Sequence, residues 1–191
     1  MKISEKTREE VKRILKELNE EGPYEMNKKF IQHGRQTVHN HCVSVAVMCC
    51  TLAEKFHLPV KRNDLIRGAL LHDFFLYDWH EPVLAHKIHG YTHPKKAMKN
   101  AEQFYGINKR EKRMIRHHMF PLTPHPPTNL EAWVLCISDK ICAIQEMKKA
   151  KRTGVYEAIK AAKAGAKEKA RNAAREARAI ARERRRERKA S

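Results

Sequence analysis

Residues 63–73, NDLIRGALLHD, decide the fold class. Leu65, Ile66, Ala69 and Leu70 recur at three- and four-residue spacing, which lays one apolar face along a helix, and Leu71 leads into His72 and Asp73 at its C-terminal end. The same period recurs on both sides, and nowhere does an apolar–polar alternation of period two persist. Upstream, residues 37–56 read as a helix apolar almost all round, through Val43, Val45, Val47, Met48, Leu52 and Phe56, as a central core helix is. Before it, a helix over residues 4–20 has candidate caps Ser4 and Thr7, turns Val11, Ile14, Leu15 and Leu18 inward, and stops at Gly22-Pro23. Downstream, a loop rich in His, Asp and aromatics covers residues 77–92. Pro94 then marks a helix start and Gly106 its end. Asn108 with Glu111 makes a capping-box start for a fifth helix that closes at His117-His118. MFPLTPHPPTN, residues 119–129, holds too many prolines for a helix, and a sixth helix begins near Asn129, carrying Trp133, Leu135, Ile137 and Asp139. The expected fold is all-α, with an accessory helix over 1–24, the main domain over 25–150 and a basic tail, helical or disordered, over 151–191.

Composition sets the bounds. The 191 residues, 41% of them apolar, suffice for one core but not two generous ones. No run is apolar and long enough to cross a bilayer, and MKISEKTREEVKRILKELNEEG lacks the apolar stretch and cleavage site of a signal peptide, so a cytoplasmic protein is expected. Five cysteines, an odd number without a C-x-x-C pair, suggest neither a disulfide framework nor a zinc-thiolate site and read as small core hydrophobes. The formal charge of +18 is uneven: residues 151–191 carry 15 Lys or Arg against 5 Glu, a net of +10, and the first 150 residues carry the other +8.

The placement of the 12 histidines says more than their number. His41 opens the apolar face of the second helix, His72 and Asp73 end the third, His93 precedes the fourth, His117 and His118 close the fifth, and Asp139 lies within the sixth. Buried imidazoles and carboxylates are costly unless paired or coordinated. Taken singly, each has an ordinary reading: a satisfied core histidine, helix-end residues favoured by the dipole, an aspartate paired with Lys140. Their joint placement beside core positions of five elements favours a shared ion.

The motif H-x-x-x-V at His41, RGALLHDFF around His72-Asp73 and ISDKI around Asp139 resemble the HD-domain superfamily of metal-dependent phosphohydrolases, over residues 37–147. The resemblance implies an HD-domain helical bundle in which His41, His72, Asp73 and Asp139 bind one metal. THPKKAMKNAE and RHHMFP are further similar to segments of the two-metal HD-GYP branch, which implies a second ion on His93, His117 and His118 with Asp73 bridging. No Gly-Tyr-Pro triplet is present, and HDFFLYD stands where that branch has a glycine and a lysine, so cyclic-dinucleotide hydrolysis is not implied. The implied cofactor is one or two divalent transition-metal ions: Mn, Fe, Ni, Co or Zn.

The expected activity is hydrolysis of a phosphomonoester or phosphodiester, in a nucleotide or related small molecule, by metal-activated water. Asp73 and Lys140 are the candidate catalytic residues, and Arg116, Lys95 and Lys96 the candidates for substrate phosphate. Arg67 has Asp64 or a loop carboxylate as candidate partner. His80, His86, His89, Asp78 and Trp79 are placed at the pocket mouth or on the surface, and His33, His39, His57 and His125 read as structural or surface residues. Two other readings remain open: a non-catalytic, metal-stabilised module that senses a nucleotide or associates with nucleic acid, and a di-iron oxygenase of the same fold. The Ala/Lys/Arg/Glu tail suits a long exposed helix, solubilising or in sequence-independent contact with nucleic acid or ribosomes.

Overall fold

The computed structural model describes residues 3–33, 36–78, 88–152 and 154–190. The elements are α1 Glu5–Glu21, a 3-10 segment Tyr24–Lys29, strands β1 Ile31–His33 and β2 Gln36–Thr37, then α2 Val38–Lys55, α3 Arg62–Leu71, α4 His89–Tyr105, α5 Lys109–His117, α6 Leu130–Arg152 and α7 Val155–Ala190. The fold is all-α, as the periodicity required, with one short antiparallel hairpin in which Ile31 faces Thr37 and His33 faces Gln36. Two strands this short carry no period for a sequence reading to detect.

Local chemistry sets most helix ends. Ser4 caps α1 by accepting the Thr7 amide at 3.1 Å, and Val11, Ile14 and Leu18 bury its inner face. The chain leaves α1 at Gly22, where a Cβ would stand 2.8 Å from the Tyr105 ring. Thr37 caps α2, and α5 opens with the reciprocal capping box: Asn108 accepts the Glu111 amide at 3.0 Å while Glu111 accepts the Asn108 amide at 2.8 Å. Gly106, with φ of 54°, closes α4 in the left-handed region and donates its N–H to Glu102.

The start of α4 corrects the sequence reading. The helix begins at His89, five residues before Pro94. Proline there removes only the N–H that would reach the Gly90 carbonyl. The preceding carbonyls take side-chain partners, Ile88 from Thr92 Oγ1 at 3.2 Å and His89 from His93 Nδ1 at 2.9 Å, so the turn survives.

α2 lies at the centre of the bundle, packed chiefly on α3 and α6. Val45, Ala46, Leu65, Leu70, Met114 and Leu135 are buried around it, and all five cysteines are buried free thiols. Tyr24 anchors the 3-10 segment by donating its hydroxyl to the Leu70 carbonyl at 2.9 Å. Arg67 does not take Asp64, which pairs with Arg110 at 2.9 Å. It reaches instead to Glu111 at 3.2 Å, Glu21 at 3.2 Å and the Tyr105 carbonyl at 2.9 Å, tying α3 to α1, α4 and α5. Among the described residues no helix is long and apolar enough to cross a membrane.

Arg67→Ala strands the buried Glu111 carboxylate. It is expected to cost about 2–4 kcal/mol, read as a lowered urea midpoint at unchanged slope. Lys112→Ala, which removes an exposed pair with Glu102, is expected to cost under about 0.5 kcal/mol. Equal midpoints for the two variants would contradict the anchoring role of Arg67.

Candidate metal centre

Five helices deliver polar side chains to one buried point. His41 comes from the first turn of α2, His72 and Asp73 from the end of α3, His93 from α4, His118 from the residue that follows α5, and Asp139 from the middle of α6. His41 and His72 are fully buried, and Asp73 is 2% exposed. The potential ligand atoms of His41, His72 and Asp139 lie within 4.8 Å of one another, as do those of His72, Asp73 and His118.

All four imidazoles are held the same way. His72 Nδ1 lies 2.7 Å from the Ala69 carbonyl, His93 Nδ1 2.9 Å from that of His89, and His118 Nδ1 2.8 Å from that of Ile115. A carbonyl only accepts, so each Nδ1 carries the hydrogen and each Nε2 turns a lone pair into the cluster. His41 Nδ1 is held by the Glu146 carboxylate at 3.0 Å. Fixing the outer nitrogen of an imidazole so that the inner one is free is how proteins orient metal ligands.

Asp73 stands between two halves. Its Oδ2 lies 3.4 Å from His72 Nε2 and 3.9 Å from that of His41, while its Oδ1 lies 3.2 Å from His93 Nε2 and 3.6 Å from that of His118. Gln32 Nε2 donates to Oδ2 at 2.6 Å and sets the carboxylate plane. Asp139 Oδ1 closes the first half, 3.1 Å from His41 and 3.7 Å from His72. His72 Nε2 and Asp73 Oδ1 are buried without a hydrogen-bond partner. His93 and His118 turn Nε2 to Nε2 at 2.8 Å, where two lone pairs repel unless a proton or a cation lies between them. The donor set and its orphaned atoms therefore fit a cation.

The electrostatics are those of mutually dependent charges. Burial pushes His41 down, but hydrogen bonds to Asp139 and Glu146 prevail and raise it to about 10. Burial would raise the Asp139 carboxyl, yet the hydrogen bond with His41 and the nearby His72 imidazole hold it far below the usual carboxylate range. Asp73 is likewise held down against burial, by His72 and His93. Burial, then His93 and His72, press His118 down to about 3. His41 favours positive charge, whereas His118 is kept neutral, as an imidazole ligand is.

A cavity of about 580 Å³ opens onto the cluster, lined by Asp73, His93, His118 and Asp139 together with the apolar Met119, Pro121, Leu122 and Ala143. Lys140 also lines it, its Nζ donating to the His118 carbonyl at 2.9 Å and meeting Cys136 Sγ at 3.3 Å. His89 lines it too, stacked on His93 at 4.5 Å and 2.7 Å from the Tyr77 hydroxyl.

His117 is not drawn in. It is half-buried and stacks on the exposed His125 at 6.3 Å. Helical phase explains this: His118 follows the buried Met114 and Ile115 by four and three residues, whereas His117 follows the exposed Arg113. Lys95, Lys96 and Arg116 are exposed and lie outside the cavity wall described here, with Lys96 Nζ 4.2 Å over the Tyr77 ring. His57 is exposed, and His39 is buried against Tyr24. Asp78 is exposed, while Trp79, His80 and His86 fall outside the described residues. Sequence reasoning missed Glu146 and Gln32. Glu146 had a signal, seven residues after Asp139 on one face of α6; Gln32 had none, since it rides on the hairpin.

A family model described as HD domain matches residues 38–144. No curated protein and no solved structure matches the chain. The match covers more than half of the sequence and runs from His41 through Asp139, so the chain belongs to the HD-domain family.

Proposed function

We propose that the chain is a metal-dependent phosphohydrolase that cleaves a phosphomonoester or phosphodiester bond in a nucleotide or similar small molecule. The observation that carries this reading is the convergence of four Nε2 lone pairs on the two faces of one buried carboxylate, Asp73. It supports two cation positions, one among His41, His72, Asp139 and Asp73 Oδ2, the other among His93, His118 and Asp73 Oδ1. Cations so held supply a nucleophilic water at neutral pH and offset charge on the transferring phosphoryl group.

The chain's own residues divide the remaining work. Gln32 and the carbonyls of Ala69, His89 and Ile115 fix ligand orientation before substrate arrives. Lys140, the cation lining the cavity among the described residues, meets the substrate phosphate there. Met119, Pro121, Leu122 and Ala143 exclude water and suit a flat or apolar moiety, in a volume typical of small-molecule sites.

Elemental analysis of protein purified without a His-tag or chelator should give close to two transition-metal ions per chain. Asp73→Ala should lose them, together with hydrolysis in a phosphatase screen. Protein that holds no metal and gains no activity with added Mn, Ni or Fe would sink this reading. A finer test separates neighbours: His118→Ala should lose about one ion, and His117→Ala none. Lys140→Met should retain its metal while kcat/KM falls about a hundredfold, the range for removing one charged phosphate contact; an unchanged value would exclude Lys140 from substrate binding.

A further inference from the structure

α7 runs 36 residues, and beyond the half-buried Ile159 its described side chains are exposed. Its cations are not scattered. From Lys160 and Lys163 a Lys or Arg recurs every third or fourth residue through Lys167, Arg171, Arg175 and Arg178, and the register continues to Lys189. This gives nine positions on one helical face along about 44 Å of axis. Ala162, Ala166, Ala170, Ala173 and Ala177 run down one flank of the helix, and Lys169 and Glu176 lie opposite the ladder. None of the five glutamates lies on the ladder, and none stands four residues from a Lys or Arg. Ion pairs at three-residue spacing are open to Lys160 with Glu157 and to Arg171 with Glu168, and the remaining ladder cations outnumber them. Alanine, the strongest helix former, makes up much of the rest of α7, and five glutamates offset fewer than half of its cations.

We propose that this face of α7 is a docking surface for duplex DNA, bound through its phosphates and without regard to sequence. Charge complementarity selects a polyanion: B-form DNA presents one negative charge per about 1.7 Å of axis, dense enough to meet a cation on every turn of α7. No aromatic residue follows Tyr156, so the base stacking that holds single strands is missing. A helix about 10–12 Å across, slimmed by alanines, fits the B-form major groove of about 12 Å, whereas the major groove of duplex RNA is narrow. Insertion into a membrane surface has little to gain, since Val155, Ile159 and Ile180 are the large apolar residues on the face opposite the ladder.

The test uses the full chain, a labelled DNA duplex of about 30 base pairs, and fluorescence anisotropy between about 50 and 200 mM salt. Binding should weaken with a log–log slope of about −5 to −8, the value for six to nine neutralised phosphates. A variant of identical composition moves three cations off the ladder: Ala166→Lys with Lys167→Ala, Arg171→Ala with Ala173→Arg, and Arg175→Ala with Ala177→Arg. It should retain helicity by circular dichroism and lose about 2–3 from the slope. Small-substrate hydrolysis should be unchanged by it, which keeps this inference separable from the proposed reaction. The proposal is overturned by no binding at the lowest salt, by an unchanged slope in the rearranged variant, or by equal or tighter binding to an RNA duplex or phosphatidylserine vesicles.

Discussion

The rest of the structure depends on the burial of Asp73. A carboxylate withdrawn from water at the end of a core helix needs several donors or cations, and no single element supplies them. Here each oxygen faces two imidazoles and Gln32 adds a hydrogen bond, so α2, α3, α4, α5 and α6 must all bring an end or a face to one point. The apolar faces of those helices close around it, and the core is the wall of the site. The cost is also deferred: carbonyls that would otherwise go unpaired at the ends of α3 and α5 are satisfied by the histidine Nδ1 atoms, so helix termination and ligand orientation become one hydrogen bond.

This economy explains what could be read from the chain. Helices α1, α2, α3, α5 and α6 were legible because apolar residues repeat at helical spacing and because Ser4, Asn108 and Glu111 are caps whose chemistry is local. The six converging side chains were legible because polar residues that ride on an apolar face need a common explanation. The rest was hidden for physical reasons. Proline normally opens a helix, so α4 was placed five residues late; its true start at His89 carries no capping side chain to mark it. Gln32 sits on strands too short to show a period. Glu146, in QEMKK, looks like an ordinary solvated acid until the fold brings it within 3.0 Å of His41, on an element more than 100 residues away in sequence.

The charge of the chain is organised at two scales. The surface is strongly basic, while the buried centre concentrates carboxylates, so the field that draws an anion toward the molecule is unlike the one it meets at the floor of the cavity. Lys140 stands at the transition. Its ammonium is tied to the His118 carbonyl, which links the one cation found on the cavity wall among the described residues to the backbone that positions a cluster histidine.

Charge counting bears on how many ions such a centre needs. With Asp73, Asp139 and Glu146 as carboxylates and every imidazole a neutral metal ligand, the cluster would hold three negative charges in a buried space; without a cation His41, raised to about 10 beside Asp139 and Glu146, carries part of the compensation as a proton. One divalent cation leaves the floor of the cavity net negative, a poor receiver for a phosphate. Two would leave it net positive, the sign that a phosphate needs. The second half of the cluster, where His93 and His118 face each other with no carboxylate of their own besides the shared Asp73, is where a second cation would change the sign of the floor under the proposed reading.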